Sequence, residues 1–236
     1  MVRLRRGVPP ALLERRKSTW TDRWVQINRG ERNGDWATLS AKKAIALELR
    51  RMAHRKCAFC EGKLELTAYL EIEHYWPKSL RPEQAFNWHN LLPICRICNN
   101  AKSDIDHGGM LIKPDVEDPE RLLWLNPDTG KLEVSAAASD ADRARAERTF
   151  ELCDLQRGTV CDERIGVMEA TIHWLERVAE REGALDARLR KEWARLTAPL
   201  TPYKFVIRHV FRTRGEPRLA DYDRRLYSRI PGSDRS

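Results

Sequence analysis

No run of about 18 apolar residues occurs in this 236-residue chain, so no membrane-spanning helix is predicted. The basic start, with Arg3, Arg5 and Arg6, leads into Pro9 and Pro10 without the apolar core of a signal peptide. A soluble, cytoplasmic protein is therefore expected. Internal repeats and low-complexity tracts are also missing. Cysteine is limited to six residues, and in a cytoplasmic chain these point to metal or thiol chemistry before disulfides. Mean hydropathy is low, at −0.63. Yet 42% of residues are hydrophobic and eight are tryptophan, which excludes a wholly disordered chain. The length suits one domain, or one domain with a smaller companion.

Acid is in deficit: 35 Asp and Glu stand against 43 Lys and Arg, a net charge of +8. The deficit sits at the two ends. Residues 1–19 carry six basic residues and one acid, and residues 201–236 carry nine and four. Two basic ends around a near-neutral body suit a polyanion such as nucleic acid, although charge alone fits a solvated surface equally well.

Three regions follow. Residues 1–39 read as a basic arm with at most a short helix near Val8–Leu13, punctuated by Pro9, Pro10, Gly30 and Gly34. Residues 40–110 open with a helix after Ser40, a candidate N-cap, with Ile45, Leu49 and Met52 on one face. Residues 64–76 then alternate loosely and read as a β-hairpin. Asn90 opens a short strand, and a short helix is expected from near Cys98 through Lys102. Residues 111–236 hold a small hairpin around Asn126–Gly130 and four helices, marked by Thr149–Leu155, Ile165–Val178, Leu185–Leu196 and Tyr203–Phe211. The last twenty residues read as a basic, mobile tail. Cys153 and Cys161 read as small buried hydrophobes.

Cys57-Ala-Phe-Cys60 and Cys95-Arg-Ile-Cys98 are two C-x-x-C units 34 residues apart. Two thiolates from one tight turn can grip one ion, and two such turns complete the tetrahedron that Zn²⁺ prefers in structural sites. A redox C-x-x-C comes singly, near a βαβ pattern, so the pair favours structural zinc. With four Cys ligands the site is closed and holds no catalytic water. The zinc pins the ends of the insert between the knuckles.

That insert contains Glu73-His74, Asn90-Leu-Leu and, after the last cysteine, Asn99-Asn100-Ala-Lys102-Ser-Asp104. The order C-x-x-C, Glu-His, Asn-Leu-Leu, C-x-x-C-Asn, Lys-Ser-Asp resembles the HNH (ββα-metal) endonucleases with a four-Cys zinc, over residues 57–104. The phrases Cys-Ala-Phe-Cys-Glu61 and Glu-His-Tyr-Trp-Pro-Lys, with the later hairpin and the helix over 143–164, are similar to the HNH subunits of Septu-type and retron-associated anti-phage systems. The resemblance implies an α+β, mostly helical protein. A small ββα-metal unit is clamped by zinc between an N-terminal arm and a C-terminal helical region.

The resemblance also implies roles. His74 is the general base, and its ordinary pKa of about 6.5 suits that task near neutrality. Glu73 takes the position of the acidic metal ligand, more often Asp in the family. Asn90 holds the loop bearing His74. Asn99 supplies an amide oxygen to the catalytic metal, with Asn100 not excluded. Lys102 matches a basic position near the scissile phosphate, and Lys78 and Arg96 are further candidate substrate contacts. A carboxylate and an amide oxygen are hard ligands suited to Mg²⁺ or Mn²⁺. The implied partners are nucleic acid, DNA first, and an ATPase of a defence complex. An RNA- or tRNA-cleaving nuclease and a non-catalytic zinc-stabilised binding module are the alternatives.

Overall fold

A computed structural model describes residues 1–64, 70–180 and 186–214. The fold is α+β and mostly helical. Seven helices accompany two small antiparallel sheets among the described residues.

Helix α1 (Ala11–Asn28) replaces the expected arm. Pro9 and Pro10 read as breakers, but Pro10 is the N-cap, and proline is tolerated at a helix start because the first N–H groups have no intrahelical partner. Only Leu13 of α1 is fully buried. Trp20 packs on Phe86 at 5.3 Å, while Trp24 and Asn28 donate to the carbonyls of Lys78 and Ser79 at 3.0 and 3.1 Å. The helix thus lies over the loop after Pro77. The segment before it is also docked: Met1, Val2 and Leu4 are buried, and Arg6 bonds Asp115 and the carbonyls of Trp88 and Leu91.

Helix α2 (Leu39–Met52) buries Ala41, Ile45, Leu49 and Met52, the face expected from periodicity. Each fully buried Ile or Leu contributes roughly 1.5–3 kcal/mol. Its N-cap is Thr38, whose Oγ1 accepts from Ala41 N, and not Ser40. Two positions separate the hydroxyls, and only Thr38 has the extended backbone a cap requires.

Of the expected hairpin over 64–76, the second half is seen as a strand. Strand β1 (Leu70–His74) pairs antiparallel with β2 (Leu91–Cys95), from Leu70 opposite Cys95 to His74 opposite Leu91. Residues 65–69 lie outside the described residues. Alternation shows that a strand exists but not which distant segment it pairs with. Helix α3 (Arg96–Lys102) follows β2 directly, starting two residues before Cys98. Strand β1, strand β2 and helix α3 make the ββα unit, with α2 packed on the sheet.

The second hairpin forms as expected, with β3 (Leu123–Leu125) opposite β4 (Leu132–Val134). Helix α4 (Asp140–Leu152) is capped by Ser139. Helix α5 (Gly158–Ala179), α6 (Ala187–Leu196) and α7 (Lys204–Arg214) share an aromatic cluster, with Trp193 5.1 Å from Trp174 and 5.0 Å from Phe211. Cys153 and Cys161 are buried. The expected mobile tail lies outside the described residues. No described helix is long and apolar enough to cross a membrane.

Candidate active site and zinc cluster

Each C-x-x-C unit folds as a turn that aims its thiols at one point. Cys57 N donates to Gly62 O at 3.0 Å, and Ala58 N ties the first knuckle to Pro93 O of β2 at 2.9 Å. Cys95 ends β2 and Cys98 lies in the first turn of α3. The four buried Sγ atoms lie within 4.8 Å of one another, and Cys60 Sγ is 3.9 Å from Cys95 Sγ. Four thiolates about 2.3 Å from one zinc ion stand roughly 3.8 Å apart at the edges of a tetrahedron. The cluster therefore fits zinc. Arg157, the N-cap of α5, donates from Nη1 to Cys98 Sγ at 3.5 Å. Nothing in the local sequence marks that residue, because it reaches the knuckle from 59 positions away.

Beside the cluster a cleft of about 320 Å³ is lined by Ile72, Glu73 and His74 of β1, Lys78, and Asn99, Asn100, Ser103 and Asp104 around the end of α3. Adjacent strand residues face opposite sides, yet Glu73 and His74 both line this cleft. His74 is the last residue of β1, so the strand ends there. Ser103, with φ of 50°, turns the chain sharply at the end of α3 and leads Asp104 to the cleft.

His74 is buried, and Trp36 meets its ring edge-on at 4.7 Å. Its Nε2 lies 3.0 Å from Ala85 O. A carbonyl only accepts, so Nε2 carries the hydrogen and Nδ1 keeps a lone pair. Burial, then the charge of Lys78, pushes the imidazole down to about 3, so it is neutral at physiological pH. Asn90 is 2% exposed. Its Oδ1 accepts from Trp76 N at 2.7 Å, and its Nδ2 donates to Trp76 O and Gln84 O at 2.9 and 3.1 Å. One amide thus clasps both ends of the loop that follows His74. Trp36 and Trp24, which cover this loop and the histidine, are residues that sequence reasoning missed. Their indoles come from segments with no motif.

Lys102 is placed differently from the expected phosphate contact. It is 1% exposed, with Nζ 2.5 Å from Glu73 Oε1 and 3.3 Å from His74 O. Its position on the inner face of a helix of about two turns turns it toward β1. Burial still pushes Glu73 up to about 6, outweighing the opposite pull of Lys102. Arg96 is exposed and does not line the cleft, whereas Lys78 does. Asn99 Nδ2 donates to Glu71 Oε2 at 2.6 Å. Arg208 and Arg212 of α7 are paired with Glu120.

Residues 57–104 match the HNH endonuclease family model. This is the span over which the sequence motifs carry the resemblance. Two relatives extend the match beyond this HNH segment. A Septu protein PtuB of Bacillus thuringiensis is 35% identical over 125 residues, 52% of this chain and 46% of that protein. A Septu protein PtuB of Bacillus mycoides (strain KBAB4) is 28% identical over 149 residues, 50% of this chain and 49% of that protein. The chain spans about half the length of the curated relatives it matches.

Proposed function

We propose that this chain is a metal-dependent HNH endonuclease that hydrolyses DNA phosphodiester bonds, serving as the effector of a prokaryotic anti-phage defence system alongside an ATPase partner. One observation carries the nuclease reading. A neutral histidine with a free Nδ1, a carboxylate, an amide and a lysine line one cleft inside the segment that matches the family.

His74 Nδ1 takes the proton from the attacking water, while the Nε2 bond to Ala85 holds the ring in the tautomer that leaves Nδ1 open. A phosphodiester in the cleft brings negative charge beside the imidazole and raises its basicity, against the lowering by Lys78. Lys78 contributes positive charge to that phosphate. Asn90 keeps the loop from shifting, which holds Ala85, and so the ring, in place. Glu73 and Asn99 fit a hydrated Mg²⁺ or Mn²⁺, which is commonly bound by one or two protein oxygens with water and phosphate oxygens completing the shell. Bound there, the ion supplies Lewis-acid stabilisation of the phosphate and of the departing oxygen. The defence role is supported by the name of the two relatives.

The test is nicking of supercoiled plasmid by the purified chain with Mg²⁺ or Mn²⁺, beside His74→Ala and an EDTA control. Metal-dependent nicking, reduced at least about 100-fold in the variant, is the expected result. Cleavage of RNA alone would overturn the DNA assignment. Retention of full activity by His74→Ala would remove the base. In cells, the same variant expressed with its neighbouring genes should lose any protection against phage plaquing that the parent confers.

A further inference from the structure

Glu71 and Glu73 occupy alternate positions of β1 and share one face of the strand, but only Glu73 lines the cleft. Glu71 reaches the cleft through Asn99, whose Nδ2 it accepts at 2.6 Å. The chemistry of this pair decides which way the amide points. A carboxylate accepts and has no hydrogen to give. The reverse orientation would set Asn99 Oδ1 against a carboxylate oxygen, so the nitrogen must face Glu71. The short distance is that of a charge-assisted bond. With Nδ2 committed to Glu71, Oδ1 is the amide atom left for the cleft. Asn100 also lines the cleft but is exposed, whereas Asn99 is half-buried and anchored.

We propose that Glu71 is a positioning residue that fixes the amide of Asn99, so that its oxygen, and not its nitrogen, is presented to the divalent cation in the cleft. The proposal rests on the reading of Glu73 and Asn99 as ligands. Glu71 touches neither ion nor substrate. Without it the side chain is held neither in its cleft-facing rotamer nor in its amide orientation, and an NH₂ group turned to the ion cannot ligate.

The experiment is Mn²⁺ binding to the zinc-loaded full chain, read from the free-ion electron paramagnetic resonance signal with no nucleic acid present. The set comprises the parent, Glu71→Ala, Glu71→Gln, Asn99→Ala and the Glu71→Ala/Asn99→Ala pair, with zinc content and circular dichroism reporting folding. Glu71→Ala and Asn99→Ala should each weaken binding about tenfold, the scale of a lost orienting partner. The double variant should bind no more weakly than Asn99→Ala alone, because both changes remove one ligand. Glu71→Gln should fall between, since its amide accepts from Asn99 in only one of its two orientations, and it serves if the alanine variant does not fold. A Glu71→Ala chain within twofold of the parent, or a double variant equal to the product of the singles, overturns the proposal while leaving the ligand reading intact. Binding unchanged by Asn99→Ala overturns the ligand reading and the proposal together, and the plasmid assay then reports separately whether the chain cuts.

Discussion

Glu73 and Lys102 are both nearly solvent-free and stand 2.5 Å apart, which assigns the lysine a different task from the one its sequence position suggests. A surface lysine that touches phosphate can be removed with little effect on stability. A buried lysine that balances a carboxylate cannot, because its loss leaves an uncompensated charge at a cost of about 3–5 kcal/mol. Lys102→Met is therefore expected to lower stability by about 3 kcal/mol, measured by urea unfolding, with Glu73→Gln in the same chain restoring part of it. A change within about 0.5 kcal/mol would return Lys102 to the surface role. Residue types and spacing singled out Cys57, Cys60, Cys95 and Cys98, which cluster, and the resemblance pointed to His74, Asn90 and Asn99, of which His74 and Asn99 line the cleft while Asn90 clasps the loop after His74. What the spacing could not show was the direction of a side chain. Lys102 and Arg96 are both basic residues of α3, yet one faces β1 and the other faces solvent.

Among elements, the hairpin of β3 and β4 shows how a turn chosen by local chemistry is used for docking. Asn126 Oδ1 accepts from the N–H groups of Asp128 and Thr129, and Gly130 closes the turn with φ of 65°. A Cβ on Gly130 would stand 2.3 Å from Cys161 O of α5, and Arg164 of the same helix donates to Gly130 O at 3.1 Å. Gly130→Ala meets both a left-handed backbone and an immovable carbonyl, so a loss of roughly 2–3 kcal/mol is expected in thermal or urea unfolding. An alanine chain as stable as the parent would mean that the hairpin is not seated on α5. Helix α1 shows the opposite lesson. Its stability comes from indoles and an amide laid over the 77–86 loop, so a two-proline start masked a helix whose reason for forming lies elsewhere in the chain.

Across the whole molecule, the four-cysteine cluster is a hub that ties the ββα unit to the C-terminal helices. Arg157 reaches Cys98 from α5. Glu61, next to Cys60, accepts from Phe205 N of α7 at 3.3 Å, and Lys56 donates to Thr201 O at 3.1 Å. Burial holds the Cys57 thiol well above its ordinary range in the absence of an ion, so metal binding must displace protons from the cluster. One zinc per chain is expected by metal analysis. Chelation, or Cys95→Ser, should lower Tm by about 10 °C or more, since a few kcal/mol shifts a chain of this size by that amount. A chain that keeps its Tm after complete zinc removal would show that the helices, and not the ion, hold the knuckles together.

The sequence by itself determined the four cysteines that cluster, the HNH order of residues 57–104, the apolar face of α2 and the second hairpin. Each depends on spacing along a few residues, where local geometry leaves little choice. The pairing of β1 with β2, the seat of α1 over the histidine loop, the burial of Lys102 and the bond of Glu71 to Asn99 were decided only by tertiary structure. Each joins segments far apart in the chain, and which of several compatible partners a side chain meets is set by the competition for burial across the whole molecule.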